Sequence, residues 1–558
     1  MEIFYKNGKS DTLDKRHFLA SGGEGQVYLK GGMVYKIYIS NKNVIPEKKI
    51  SELSVLSAPN IIKPNELIYD NNRKAIGYTM NAVKDTISLC QVFTRAYKDR
   101  VGIDHKNILN LVEELRNGVE HCHKNNILIV DLNELNFLVD TKFHKNVYFI
   151  DVDSYQTPSF PATAIMESIR DRHNKKFSEV TDWFSFAVIS FQMFIGIHPF
   201  KGKHPTLLNL DDRMNANVSV LNKDVSFPKI CMPFSVIPKH YYDWYVRVFE
   251  RGERIPPMTM GGSVIVMVAP KVIVASNKSF KVEDMFSVFN ERVVAYNCVD
   301  GKDLITLETQ FLFNNRAYTK HANSVYGVSN KNKVVVEAYE EASKIKLHGI
   351  NPIMDIDLDV NVDALFGYED RIYAKCDDVI NEVQLMDVGS KIIASMKQVC
   401  NVMPNSTQTF PGCAIQNMLG NYFISLFPGA GLHYQLKLEE LEGYKIIDAK
   451  YMNRVAIVIG AKKGSYTRFI IRFSKDYQTY DVRKTNNLQH NDINFVCLSS
   501  GVCVMVNEND FTEVFFHTIG DNRIRLVEDD FLSDKPLFCR DTTLMVADEK
   551  QIKKISLV

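Results

Sequence analysis

A chain of 558 residues is too long for one compact core of ordinary size, and at roughly 150 residues per domain it implies three to four structural units. Hydrophobic residues make up 45% and charged residues 24%, with 28 Gly and 18 Pro, which excludes collagen-like, low-complexity and wholly disordered chains. The 67 Lys and Arg balance 66 Asp and Glu to a formal charge of +1, so the long-range field that polyanion binders use is missing and no nucleic-acid partner is expected.

The first residues, MEIFYKNGKSD, lack the apolar core of a signal peptide. The longest apolar-rich run, Trp183 to Ile197, is short and interrupted by Ser185, Ser190 and Gln192. A soluble, cytoplasmic protein without a membrane partner is therefore expected. The cysteines, from Cys90 to Cys539, form no CxxC pair, which speaks for reduced thiols rather than a zinc ribbon or a disulfide framework. His121, Cys122 and His123 are adjacent on a predicted helix and so point in different directions, a poor arrangement for a metal.

In chain order, the first chemical signal is Ser21-Gly22-Gly23-Glu24-Gly25-Gln26-Val27-Tyr28. It leads into a hairpin predicted to turn at Gly31-Gly32, with Lys36 on the return strand. Glycines let backbone N–H groups approach an anion with no Cβ in the way, and a lysine on the neighbouring strand adds a cation for the same phosphates. Alone, such a turn beside a lysine is usually structural; it gains weight when the same chain also carries a catalytic loop.

Ile108, Leu111, Val112, Leu115, Val119 and Cys122 recur at three- and four-residue spacing and predict a core helix. Directly after it comes NNILIVDLNELNFLVD, with Asp131 and Asn136 five apart, and then VYFIDVDSY, where Asp151 closes an apolar strand. A carboxylate at Asp131 can accept a hydroxyl proton, while Asn136 and Asp151 offer the hard oxygen donors that Mg²⁺ prefers when it also holds ATP phosphates. Asp182 to Ile195 is apolar nearly all round and predicts a helix in the middle of a helical lobe.

The order of Gly-rich loop, strand lysine, D-x-x-x-x-N loop and metal-binding Asp resembles the protein-kinase fold. More narrowly, GGEGQVY, KIY, VDLNELNF, IDVDSYQ and D-WFSFAVISFQMFIGIHPF are similar to the divergent bacterial Ser/Thr kinases of tellurite-resistance and von Willebrand A-domain gene clusters, over residues 18 to 258. The resemblance implies that Gly22, Gly23, Gly25 and Val27 cover the nucleotide, that Lys36 pairs with its phosphates, and that Asp131 is the catalytic base. Asn136 and Asp151 would hold the metal. The partner of Lys36 is expected on the helix that follows Pro46, with Glu47 preferred over Glu52. Asp182 would brace the catalytic loop, and Glu167 with Arg254 would form a buried structural ion pair. Ala20, Ile129, Val130, Asn133 and Val152-Asp153 depart from the common pattern. Asn133 in particular supplies no positive charge where a lysine is usual.

Past Gly261-Gly262 the pattern changes to short apolar runs separated by polar turns, as in ALFGYEDRIYAKC and FVCLSSGVCVMVN. Anchoring each second strand at Val293, Val334, Ile372, Tyr422, Val455, Val502 and Leu544 gives spacings of 41, 38, 50, 33, 47 and 42. A period near 42 indicates a repeat architecture, here a six- to seven-bladed β-propeller, with an irregular β-sandwich pair as the alternative. The expected architecture is multidomain: an α+β bilobal protein-kinase-like fold at residues 1–258, a linker at 259–262 and an all-β domain at 263–558 with its own separate core. The expected function is an ATP- and Mg²⁺-dependent serine/threonine protein kinase whose β domain recruits a protein substrate or regulator. A nucleotide-binding pseudokinase scaffold and a small-molecule kinase are the other readings.

Overall fold

The computed structural model describes residues 1–40, 43–162, 164–257, 279–314 and 316–557. The linker expected at 259–262, with Gly261-Gly262, lies outside the described residues.

The N-terminal lobe is a seven-stranded antiparallel sheet of β1 (Glu2–Tyr5), β2 (Ser10–Thr12), β3 (Phe18–Ser21), β4 (Gly25–Lys30), β5 (Met33–Tyr38), β6 (Leu67–Tyr69) and β7 (Ala75–Asn81), in the order β2-β1-β6-β7-β5-β4-β3. The predicted hairpin is β4–β5: Lys30 pairs with Met33 across Gly31 and Gly32, whose φ angles are +58° and +79°. Val27 stands opposite Lys36 in that pairing. Helix α1 (Glu47–Leu53) packs behind the sheet through Lys49, Ile50 and Leu53.

A small sheet of β8 (Thr86–Ser88), β9 (Phe137–Asp140) and β10 (Val147–Phe149) introduces the helical lobe, with α2 (Arg95–Val101), α3 (His105–Lys124), α4 (Glu179–Ile195), α5 (Leu210–Ala216) and α6 (Lys239–Tyr245). The apolar stripe read from the sequence is the buried face of α3: Ile108, Leu111, Val112, Leu115, Val119 and Cys122 are all in the core. Asp104 caps this helix by accepting from the Asn107 amide at 2.9 Å. Helix α4 is buried on all sides from Thr181 to Ile195, as its uniform apolarity predicts.

From residue 280 onward the chain is all-β. Strands within 293–319, 325–356, 364–401, 407–437, 445–486 and 495–527 form six consecutive four-stranded antiparallel sheets. A seventh combines Phe280–Asp284 with Leu537–Arg540, Thr543–Asp548 and Gln551–Leu557. Each sheet packs on the next through its own apolar cluster, as where Phe366 and Tyr373 of the third meet Phe427 of the fourth. The seventh meets the sixth through Val496, Val504 and Val546, and the first through Val293, Leu307 and Met545. Two anchors of the repeat fall on other strands than expected. Val293 lies on the first strand of its sheet and Tyr422 on the third, because consecutive apolar strands look alike in sequence.

The two regions are not separate cores. Ile447, Ile459, Ala461 and Tyr466 of the fifth sheet and Leu488 just after it belong to the same cluster as α3 and α4, and Met403 of the β region packs with Ile3, Phe18 and Ile68. Arg292 makes a two-pronged ion pair with Asp99 of α2, at 2.7 and 3.1 Å. Among the described residues, no helix is long and apolar enough to cross a membrane.

Candidate active site

The catalytic loop follows α3 and is clamped from below. Asp182, fully buried at the start of α4, accepts from the amides of Ile129 at 2.8 Å and Val130 at 2.9 Å, and Nε2 of His123 lies 3.0 Å away. This is the bracing role expected of Asp182. Val130 has φ +64°, a conformation in which a β-branched side chain is strained by about 1–3 kcal/mol. The paired Asp182 bonds hold it there. The neighbours in HCH diverge: His121 accepts from the Ser57 amide at 3.2 Å, Cys122 enters the core and His123 meets Asp182.

Above the clamp, Asp131 and Asn136 come together. Asn136 Nδ2 donates to the Asp131 carbonyl at 3.0 Å, and Asp131 Oδ1 accepts from the Met166 amide at 2.8 Å. With its nitrogen turned to Asp131, the Asn136 side chain presents its amide oxygen as the donor for a cation. Asn133 is buried and folded back to accept from the Leu135 amide at 2.9 Å, so it serves the turn and not a ligand.

Asp151 enters from β10 in the left-handed region, at φ +60°. Its Oδ1 accepts from Lys36 Nζ at 2.6 Å, while 37% of the side chain remains exposed. Lys36 is itself buried and also reaches both oxygens of Asp153, at 3.0 and 2.8 Å. The hydroxyls of Tyr38 and Tyr78 donate to the same Asp153 carboxylate at 2.6 and 2.7 Å. Burial opposes the charge on Lys36, but the fields of Asp153 and Asp151 overcome it and raise its pKa. Within the carboxylate pair, burial and then the charge of Asp153 push Asp151 up. Asp153 is held down against burial by Lys36 and the two tyrosines. Asp153 is thus the fixed anion of the junction, and Asp151 is the one available to a metal.

Several expectations need correction here. Glu47 is not the partner of Lys36: it is exposed on the outer face of α1 and pairs with Lys6 at 2.5 Å. Glu52 accepts from the Ser159 amide at 3.2 Å. The inward position of α1 carries Lys49, whose Nζ donates to the Asp153 carbonyl at 2.6 Å. The buried arginine pair is also different. Arg254 binds Asp171 with two bonds of 2.7 and 2.8 Å, and Glu167 is exposed beside Arg170 and Arg172. Sequence reading passed over Asp153 and Asp171. For Asp153 a signal existed in the D-x-D of IDVDSY, where a second carboxylate replaces Gly.

The Gly-rich loop divides into two parts. Gly22 and Gly23 sit at the exposed tip with open space around them, free for a ligand to approach. Gly25 is needed by the sheet itself, since a Cβ there would lie 2.5 Å from the Ile37 carbonyl oxygen. The oxygen donors of Asn136 and Asp151, the lysine beside them and the open loop tip fit a magnesium-bound nucleoside triphosphate.

Comparison with known proteins agrees with this geometry. Residues 33–231 match the family model described as the protein kinase domain. A protein of Dictyostelium discoideum named "Probable serine/threonine-protein kinase" is 23% identical over 232 residues, 38% of this chain and 48% of that protein. A second of the same name and organism is 24% identical over 141 residues, 24% of this chain and 10% of its own length. The chain thus spans at most about half the length of these curated relatives. The Cydia pomonella granulovirus kinase PK-1 matches 43% of this chain and 86% of its own, at 18% identity and a TM-score of 0.33. The stretch that matches the protein kinase domain model, residues 33–231, is followed in the same chain by an all-β region of small antiparallel sheets.

Proposed function

We propose that the chain is an active serine/threonine protein kinase that uses ATP and Mg²⁺, and that its β region is a seven-bladed propeller which recruits a protein substrate or regulator. The observation that carries the kinase reading is the convergence of Lys36, Asp131, Asn136 and Asp151 from three separate segments onto one junction. When bound, Mg²⁺-ATP supplies the transferable phosphoryl group and the cation that neutralises its developing charge. Asp131 takes the proton from the attacking hydroxyl, held in place by the Met166 amide. Lys36 holds the nucleotide phosphates, and Asp153 keeps that lysine charged and aimed at them. The motif similarity to tellurite-resistance-associated kinases supports the same activity.

The propeller reading rests on seven four-stranded sheets and on the pairing of Phe280–Asp284 with Gln551–Leu557, which joins the two ends of the β region. Recruitment is supported by the hairpin Val379–Val388 to Lys391–Asn401, the longest of the region, whose end leaves Met386, Val388 and Ile393 exposed. A second reading, a nucleotide-binding scaffold, is favoured by Asn133, which brings no cation to the loop. Incubating the full chain with labelled ATP and Mg²⁺, alone and with a cell lysate, separates the two. Label transfer that Asp131→Asn abolishes supports the kinase; nucleotide-dependent stabilisation with no transfer supports the scaffold.

A further inference from the structure

The catalytic loop is held from two directions, and only one of them belongs to the kinase domain. Asp182 grips the loop at Ile129 and Val130. The other grip comes from the fifth sheet of the β region. Tyr466, on the strand Ser465–Phe473, donates its hydroxyl to the carboxylate of Glu134. Glu134 is only 4% exposed, and burial raises its pKa against the bond from Tyr466. Lys445, at the start of the strand Lys445–Met452, donates to the carbonyl of Leu135 at 3.2 Å. Glu134 and Leu135 are the two residues directly before Asn136, inside the turn that sets Asn136 against Asp131.

A third contact acts on Asp131 itself. Gly464 turns the chain between two strands of the same sheet with φ +74°, and a Cβ there would lie 2.8 Å from Cγ and Sδ of Met166 and 3.0 Å from Ser168 Oγ. The turn is therefore seated on the segment whose Met166 amide donates to Asp131. The sheet is anchored around these points. Gln91 donates to the Ile447 carbonyl at 2.6 Å, Lys201 to that of Leu488 at 2.6 Å, and the Gly202 amide to Gln489 Oε1 at 2.9 Å.

We propose that Lys445 and Tyr466 are positioning residues for phosphoryl transfer, so that the fifth sheet completes the active site of the kinase domain. This rests on the reading of the chain as an active kinase. The turn Glu134–Asn136 is a single 3-10 turn closed by short-range bonds, the Asn136 amide to the Asn133 carbonyl at 3.1 Å and the Leu135 amide to Asn133 Oδ1 at 2.9 Å, and so short a turn opens at small cost unless other elements tie it down. Tyr466 and Lys445 tie it at its first two residues. The β region therefore acts on the chemical step, which recruitment alone does not require.

The test uses the full chain with Tyr466→Phe, Lys445→Met and Lys445→Arg. Amide hydrogen exchange is followed at residues 131–136 and 166, with α4 as internal control, together with transfer from labelled ATP to a serine/threonine peptide library. Tyr466→Phe and Lys445→Met should speed exchange at 131–136 by about tenfold, the effect of losing one hydrogen bond, and leave α4 unchanged. They should lower kcat by about tenfold to a hundredfold with the KM for ATP within about twofold, because only the alignment of reacting groups is disturbed. Lys445→Arg should preserve both. Unchanged exchange in both variants overturns the proposal whatever the activity, and so does faster exchange with full kcat. If the wild-type chain transfers nothing while exchange rises as stated, loop positioning stands and the kinase reading falls. Tyr466→Phe keeps its ring in the core, so it decides the matter alone should Lys445→Met fail to fold.

Discussion

Lys36 and Asp153 form the buried ion pair of the lobe junction, with Nζ 2.8 Å from Oδ2 and the hydroxyls of Tyr38 and Tyr78 on the same carboxylate. A carboxylate two residues after Asp151 thereby does what a helix glutamate was expected to do. Losing the anion leaves the buried lysine to the partly exposed Asp151 and takes the acceptor from two tyrosine hydroxyls. Asp153→Asn should cost about 3 kcal/mol or more of stability, as for other broken buried pairs, and weaken ATP binding. Glu47→Gln, on the exposed side of α1, should stay within about 0.5 kcal/mol of wild type. Urea midpoints and a nucleotide titration of the two variants check this, and equal effects would return Glu47 to consideration.

Asp131 and Asp151 should fail in different ways. Asp131→Asn removes the proton acceptor and should lower turnover by about 10²–10⁴-fold with Mg²⁺-ATP affinity nearly unchanged. Asp151→Asn removes an anionic donor from the metal shell, so the magnesium-dependent part of ATP binding should weaken. Calorimetric ATP titrations with and without Mg²⁺ separate the two. A magnesium titration of Asp151→Asn identical to wild type would remove it from the metal site.

Asp171 and Arg254 give a prediction for the segment that leads into α4. Asp171 is 3% exposed, and its bonds to Arg254 and Asn174 keep its carboxyl ionised despite burial. Asp171→Leu should destabilise the chain by about 3–5 kcal/mol by leaving the guanidinium unpaired. Glu167→Gln should be close to neutral, since that side chain is 68% exposed. Thermal melting of both variants measures the contrast.

His198 predicts a pH dependence. Nδ1 accepts from the Phe200 amide at 3.1 Å and Nε2 lies 2.8 Å from the Ser168 carbonyl, so the buried ring is held as the neutral tautomer. Burial and the nearby Lys201 lower its pKa from 6.5 to about 3. Between those values the unfolded chain binds a proton that the folded chain does not. The stability from neutral His198 is thus complete above about pH 6.5 and is lost toward pH 3, by about 1.4 kcal/mol per pH unit at the steepest. Replacing it with Gln should flatten the slope of stability against pH in that window. A slope equal to wild type would mean that His198 titrates normally in the fold.

Much of the site was legible in sequence because its residues lie in short segments with fixed spacing. Asp131 and Asp151 each close an apolar run, Asn136 directly precedes one, and Lys36 follows a glycine turn. That Glu47 faces away from Lys36 was not legible, since it depends on how α1 is rotated. Lys49, Ile50 and Leu53 take the inner face, which leaves Glu47 outside. The same holds for Arg254, for which Glu167 and Asp171 lie only four residues apart. The contacts of Lys445 and Tyr466 join residues more than 300 positions apart, and no local pattern announces such a meeting.

The seventh sheet has a consequence for the order in which the molecule is made. Its strand Phe280–Asp284 emerges near the start of the β region, but its partner Gln551–Leu557 is synthesised only after the other six sheets. The kinase domain leaves the ribosome with its motifs complete while the β region is still unfastened at this seam. Until that strand arrives, the array that carries Lys445 and Tyr466 is open at one seam, although the loop it grips was made long before.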